Sequence, residues 1–220
     1  MKRLLVISLL SLSLIGCSNV FFFPYHEHVQ KPDHLGLKYE DVYFSAGDGT
    51  RLHGWFLPAQ GRALGTILFL HGNAENISTH IMSVHWLPAR GFNVFLLDYR
   101  GYGASEGKPT FAGVQDDVES ALKMLISRPG VDASRIVVFG QSLGGAIAVY
   151  RVAHTVFREN IRALVVESAF SSYRQITREK LADFWLTWPW QWPLSGTVTD
   201  KYSPSRAVTD ISPIPLLIIH

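Results

Sequence analysis

Two short runs of this chain are apolar without alternation, "GTILFLHGN" (65–73) and "FNVFLLDYR" (92–100), and "RIVVFG" (135–140) and "RALVVES" (162–168) read as further strands. A strand with one wet face alternates apolar and polar residues, whereas a strand buried on both faces does not. Such strands need cover on both sides of their sheet, and the stretches between them supply it. Residues 113–127 place Val114, Val118, Ala121, Leu122, Leu125 and Ile126 on one helical face, and 76–90 and 143–157 also read as helices. Strands alternating with helices predict an α/β fold, a mostly parallel sheet with helices on both faces. "KYEDVYFSA" and "TRLHGWFLP" instead alternate around the "GDG" turn at 47–49, which predicts an antiparallel hairpin at the edge. "PIPLLIIH" (213–220) reads as a further strand.

A chain of 220 residues can bury one sizeable core. Its 47 % hydrophobic and 17 % charged residues exclude a disordered profile. The formal charge of +2 is accounted for by Lys2 and Arg3, so the body is neutral and carries no electrostatic footprint for nucleic acid.

Lys2 and Arg3 precede an apolar run from Leu4 to Ile15, followed by Gly16 and Cys17. That is secretory signal architecture, too short for a membrane span. "LIGC" resembles the lipobox of bacterial lipoproteins, which implies cleavage after residue 16 and an acylated Cys17 anchored by its acyl chains. Ser18 in place of aspartate favours, by the same resemblance, the outer membrane facing the periplasm. Cys17 is the only cysteine, so no thiol remains for a disulfide or a metal. Residues 17–37 read as a tether. Phe21 to Phe23 either rest on the membrane or pack on the fold. His26, His28 and His34 read as solvated loop histidines, without the cysteine or carboxylate framework of a metal site.

"VFGQSLGGAIAVY" (138–150) runs from a strand through Gly140-Gln141-Ser142-Leu143-Gly144 into a helix. This fits the G-x-S-x-G nucleophile elbow, whose strained turn lifts a serine hydroxyl above the sheet. Flanking glycines keep side chains out of that turn, and the helix N-terminus favours negative charge. Together with "LFLHGNAEN" and "DYRGYGASEG", the pattern resembles the α/β-hydrolase superfamily over about residues 38–220. The nearest branch is the abhydrolase-domain, serine aminopeptidase-like proteins. The resemblance implies a domain over 38–220 with a Trp-rich, lid-like insertion at about 174–205. It implies Ser142 as nucleophile and the main-chain N–H groups of Asn73 and Leu143 as oxyanion donors. It makes His71 structural, and Asp98 and Arg100 bracing groups of their loop. The substrate class is a small-molecule or lipid acyl ester, a thioester or a peptide. No cofactor or metal is implied.

The family triad runs Ser…Asp/Glu…His along the chain. The acid should follow "IPLLIIH" and the histidine lie further on, but the sequence ends at His220. Neither role can therefore be assigned by resemblance. His154 stands twelve helical positions from Ser142, about 18 Å away. His220 would occupy a structural strand end. Glu167 is the best remaining acid, with a backbone N–H or a loop arginine as its more ordinary partner. The expectation is the N-terminal portion of a longer serine hydrolase, with the last strand and helix of the fold missing. The alternative is a catalytically inactive, membrane-tethered hydrolase-like domain. The segment "LADFWLTWPWQWPL" (181–194) reads as an acyl-pocket lid, a membrane-interface element or a helix packed on the sheet. Pro189 and Pro193 break any single helix through it.

Overall fold

The computed structural model describes residues 21–220. The signal segment and Cys17 lie outside them. In chain order the strands are β1 (Phe23–Pro24), β2 (Glu40–Ser45), β3 (Arg51–Leu57), β4 (Gly65–Leu70), β5 (Ala74–Glu75), β6 (Phe92–Asp98), β7 (Ile136–Gln141), β8 (Ile161–Glu167) and β9 (Leu216–Ile219). The helices are α1 (Ile77–His80), α2 (Phe111–Ile126), α3 (Leu143–His154), α4 (Tyr173–Ala182) and α5 (Gln191–Gly196).

Seven strands form one sheet in the order β2-β3-β6-β4-β7-β8-β9. β2 and β3 are the expected antiparallel hairpin, and β3 is antiparallel to β6. From β6 to β9 every pairing is parallel, with Ile67 beside Val94 and Leu68 beside Val138. The period of two in a strand divides the core into two layers. Leu68, Leu70, Phe95, Leu97 and Val138 face α2 and α3. Ile67, Phe69, Val94 and Leu96 face the segment carrying Ile77, Ile81, Val84 and Leu87. β4 and β6 are thus covered on both faces, as their composition requires, whereas β7 and β8 bury one face fully and the other only in part.

Local chemistry fixes the ends of these elements. Thr110 caps α2, its hydroxyl accepting from the Gly113 N–H at 3.0 Å. Arg100, just after β6, pairs with Asp117 of α2 and Asp48 of the hairpin turn, both at 2.7 Å. This guanidinium ties a loop, a helix and a turn together, the bracing role expected of it.

Two expectations need correction. The helix over 76–90 is one turn, α1, followed by 3-10 turns at Ile81–Ser83 and Pro88–Arg90. Ile77, Ile81, Val84 and Leu87 are buried against the sheet, but the backbone leaves α-helical geometry after His80, and Pro88 opens a separate 3-10 turn. The described part of the tether is built into the domain. Phe21 and Phe22 are buried, and β1 pairs in parallel with β5. Asn76 Nδ2 donates to the carbonyls of Tyr25 and Glu27, at 2.9 and 2.8 Å. The Gly103 N–H donates to the Tyr25 carbonyl at 2.9 Å. Residues 21–29 form a strap across the ends of β4 and β6.

Candidate active site

β7 ends at Gln141 and α3 begins at Leu143, so Ser142 makes the whole turn. Its backbone sits at φ 52°, ψ −114°. A residue with a Cβ adopts that region only at a cost of about 1–3 kcal/mol, when its surroundings force it. Here the Ser142 N–H donates to the Glu167 carbonyl at 2.8 Å, and its own carbonyl accepts from the Ala146 N–H at 3.1 Å. The glycines of the motif are steric necessities. A Cβ on Gly140 would overlap the Gly144 carbonyl, and one on Gly144 would overlap the Leu70 carbonyl. Gln141 is held by its own network. Its amide donates to Glu167 Oε2 at 3.1 Å and to Ser83 Oγ at 3.2 Å, and its oxygen accepts from His80 Nδ1 at 2.9 Å.

The Leu143 N–H opens α3 and is one of the groups a helix leaves without an intrahelical acceptor. Asn73 follows β4 by three residues. Its carbonyl accepts from the Tyr102 hydroxyl at 2.8 Å and the Phe23 N–H at 3.4 Å. Asn73, Ser142 and Leu143 share one cavity of about 720 Å³. Its apolar wall includes Phe21, Phe23, Phe170, Ile176 and Leu181, and Lys180 and His220 also line it.

Among the described residues no side chain hydrogen-bonds to Ser142 Oγ. His71 is fully buried, and its Nδ1–H donates to the Gly72 carbonyl at 2.8 Å. Burial, reinforced by the neighbouring His80, lowers its pKa to about 4. It is a neutral structural group whose ring meets that of Tyr99 at 4.4 Å, tilted by 39°. His154 lies at the far end of α3, with Nδ1 on the Tyr150 carbonyl at 2.8 Å. The Glu167 carboxylate is engaged with Gln141.

One cluster went unread in the sequence. His53 and Asp98 face each other across β3 and β6, and His28 of the strap joins them. His28 Nε2 and His53 Nδ1 donate to the same oxygen, Asp98 Oδ2, at 2.9 and 3.1 Å. His28 is therefore no solvated loop histidine, because it finds its carboxylate 70 residues away. His53 Nε2 also contacts Asp41 Oδ1 at 2.9 Å. Carboxylates only accept, so both bonds form fully only when His53 carries a proton on each nitrogen, and the site favours the imidazolium. Burial opposes this charge, but bonds to Asp98 and Asp41 outweigh it and raise the pKa. Burial alone would raise Asp98, yet His28 and His53 hold it well below the ordinary carboxylate range. These three ligand atoms lie within 4.8 Å of one another, the one group among the described residues able to hold a metal ion. Two shared protons already satisfy the geometry. The signal for the pair was present in "RLHGWFL", where His53 occupies an inward position beside Trp55.

With this geometry in place, comparison with known proteins is direct. The family model described as serine aminopeptidase, S33, matches residues 61–212. The YfhR protein of Escherichia coli (strain K12) is 42 % identical over 207 residues, covering 92 % of this chain and 68 % of that protein. The alpha/beta hydrolase domain-containing protein WAV2 of Arabidopsis thaliana is 43 % identical over 143 residues, covering 64 % of this chain and 46 % of that one. Among solved structures, an esterase of Pyrococcus furiosus superposes with a TM-score of 0.68 at 22 % identity, covering 90 % of this chain and 76 % of the esterase. The fold is that of the α/β-hydrolases. The chain belongs to the serine aminopeptidase S33 family of hydrolases.

Proposed function

We propose that the protein is a lipid-anchored serine hydrolase that cleaves acyl esters, thioesters or peptides through an acyl-enzyme at Ser142. The observation that carries this reading is the Ser142 turn. A serine held at φ 52° begins a helix and lines an apolar 720 Å³ cavity. Such strain persists where the surrounding structure enforces it, and it clusters at active sites. In the reaction, Ser142 Oγ attacks the substrate carbonyl carbon while a base takes its proton. The carbonyl π electrons move onto oxygen, and the N–H groups of Asn73 and Leu143 donate to that oxyanion. The intermediate collapses, and the leaving group departs with the proton from the base. Water, deprotonated by the same base, attacks the acyl carbon next and frees the acid and Ser142.

In this proposal the base and its orienting acid are a histidine and a carboxylate contributed by sequence beyond His220. Two facts support it. No described side chain reaches Ser142 Oγ, and the matched stretch spans 68 % of the YfhR protein. The unpartnered Oγ also favours a second reading for the 220-residue chain by itself, that of a catalytically silent, tethered domain. Cys17 would be the acylated residue, holding the protein to the periplasmic face of the outer membrane.

A serine-reactive fluorophosphonate probe separates these readings. The chain extended by whatever its gene encodes after His220 should label rapidly, and Ser142→Ala should abolish labelling. The 220-residue chain should label slower by orders of magnitude, since loss of the histidine costs about 10⁶ in kcat in subtilisin. Equal labelling of the extended protein and its Ser142→Ala variant would sink the hydrolase reading.

A further inference from the structure

We propose that the Trp-rich segment and the mouth of the Ser142 cavity form one face that docks on a lipid bilayer, so that the cavity draws its acyl chain directly from the membrane. The docking stands on surface geometry alone, and the source of the substrate rests on the hydrolase reading. The segment does not pack on the sheet. Trp185, Trp188, Trp190 and Trp192 are 75, 59, 61 and 67 % exposed, with Phe184 and Leu186 also more than half exposed. Four indoles exposed to this extent present on the order of 600 Å² of mostly apolar surface, at the upper end of what a monomer shows to water. Elsewhere the protein satisfies its indoles. Trp55 donates to Asp41, and Trp86 donates to the Ser83 carbonyl. Among the described residues the four exposed indole N–H groups have no protein acceptor. A ring with an apolar body and a free polar edge partitions to the boundary between headgroups and acyl chains.

The position of this surface ties it to the cavity. Ile176, Thr177, Lys180 and Leu181 of α4 line the cavity wall. The exposed segment leaves α4 three residues later and folds back on it, with Arg178 over the Trp192 ring at 4.4 Å. One helix is thus cavity wall on one side and support for the aromatic surface on the other.

The other end of the chain brings the same face to the membrane. Phe21 and Phe23 line the same cavity, and Phe21 packs on Tyr173 at the start of α4, with ring centroids 5.1 Å apart. Cys17 precedes Phe21 by four residues, and the apolar run ends six residues before it. Extended chain covers at most about 3.6 Å per residue, so the chain between Cys17 and Phe21 can span no more than about 14 Å, and that between Ile15 and Phe21 no more than about 22 Å. With either residue at the membrane, the cavity cannot swing far from it. Among the described residues no helix is long and apolar enough to cross a membrane, so the contact is superficial. It is also apolar in character. Over 173–202, Arg174, Arg178, Lys180 and Lys201 nearly balance Glu179, Asp183 and Asp200. The occupant is accordingly a zwitterionic bilayer, and docking should survive high salt.

The test places the full chain on phosphatidylcholine vesicles with brominated acyl chains. Tryptophan emission should fall by about half in both 0.1 M and 1 M salt. With all four exposed tryptophans replaced by serine, the emission left from Trp55 and Trp86 should be quenched by under a tenth, though the anchor still holds the protein on the vesicle. Unquenched wild type, equal fractional quenching in the variant, or lipid-independent dimers that bury the segment would each overturn the docking face. With the gene-extended protein, the variant should lose hydrolysis of a vesicle-borne ester at least tenfold and keep that of a water-soluble short ester. Ser142→Ala should lose both reactions and keep the quenching. If Ser142→Ala hydrolyses as wild type does, the hydrolase reading fails while the quenching still decides the docking.

Discussion

At the scale of single residues, Ser142 is where local propensity and global fold conflict. A serine at φ 52°, ψ −114° pays for a Cβ that glycine lacks. Ser142→Ala keeps the Cβ and the strain, whereas Ser142→Gly removes both. Ser142→Gly should therefore be more stable than Ser142→Ala by about 1 kcal/mol, after allowing for the extra freedom of glycine in the unfolded chain. Urea midpoints of the two variants at equal m-value decide this, and a less stable glycine variant would mean an unstrained turn. This turn was legible in the sequence because its demands are local. A strained strand-to-helix bend needs glycine at 140 and 144, and those positions are read directly. The cavity wall was not legible in the same way. Phe21 meets Phe111 at 5.5 Å and Tyr173 at 5.1 Å, partners 90 or more positions away that no spacing reveals.

At the scale of elements, the strap of residues 21–29 is the part that sequence reading placed least well. Its backbone groups pair with β5, Asn76 and Gly103, and its Phe23 N–H holds the Asn73 carbonyl. None of these contacts has a period. They depend on β4 and β6 ending side by side, a consequence of the parallel register. The antiparallel hairpin and the two-sided burial of β4 and β6 were legible because burial writes itself into composition, but β3, read as half-buried, is buried from Leu52 to Leu57 because β6 and the strap cover it. The Trp-rich segment resisted for a different reason. Its aromatic residues have the composition of a core, yet Pro189 sits within a 3-10 turn and Pro193 within the first turn of the short α5, so no long helix forms to lay the rings on the sheet. The charged cluster beneath the strap sets a quantitative expectation. Asp98→Asn leaves the His53 imidazolium and His28 facing a neutral amide in a buried site, and should cost about 3–5 kcal/mol. His28→Ala removes one bond to a carboxylate at the edge of the same site and should cost about 1–3 kcal/mol. Denaturant unfolding at pH 6 ranks them, and a milder effect from Asp98→Asn than from His28→Ala would refute the imidazolium assignment. Hydrogen exchange should also show residues 21–29 opening first in His28→Ala.

At the scale of the whole molecule, two features act on the entire folded chain. Among the described residues β9 is an edge strand of the sheet, with Leu217, Ile218 and Ile219 exposed on it. An exposed apolar edge is a site of strand pairing, so Ile218→Lys should lower whatever self-association sedimentation measurements detect. The second feature is a stability curve shaped by two buried histidines with opposite shifts. For His71 the folded pKa is lowered to about 4, against about 6.5 when unfolded. Above pH 6.5 neither state is protonated there, and its contribution is complete. As pH falls from 6.5 toward 4 the unfolded chain takes up a proton that the folded chain refuses, so stability is lost, by about 3 kcal/mol at most. For His53 the folded pKa is raised, so the folded chain holds a proton that the unfolded chain releases. Its contribution is complete below pH 6.5 and is lost as pH rises through the folded value. The two limbs meet near pH 6.5, where the domain should be most resistant to urea. His71→Gln should flatten the acid limb alone, and His53→Gln the alkaline limb alone. Urea midpoints measured from pH 4.5 to 9 test both, and an acid limb as steep in His71→Gln as in the wild type would assign that loss to the carboxylates.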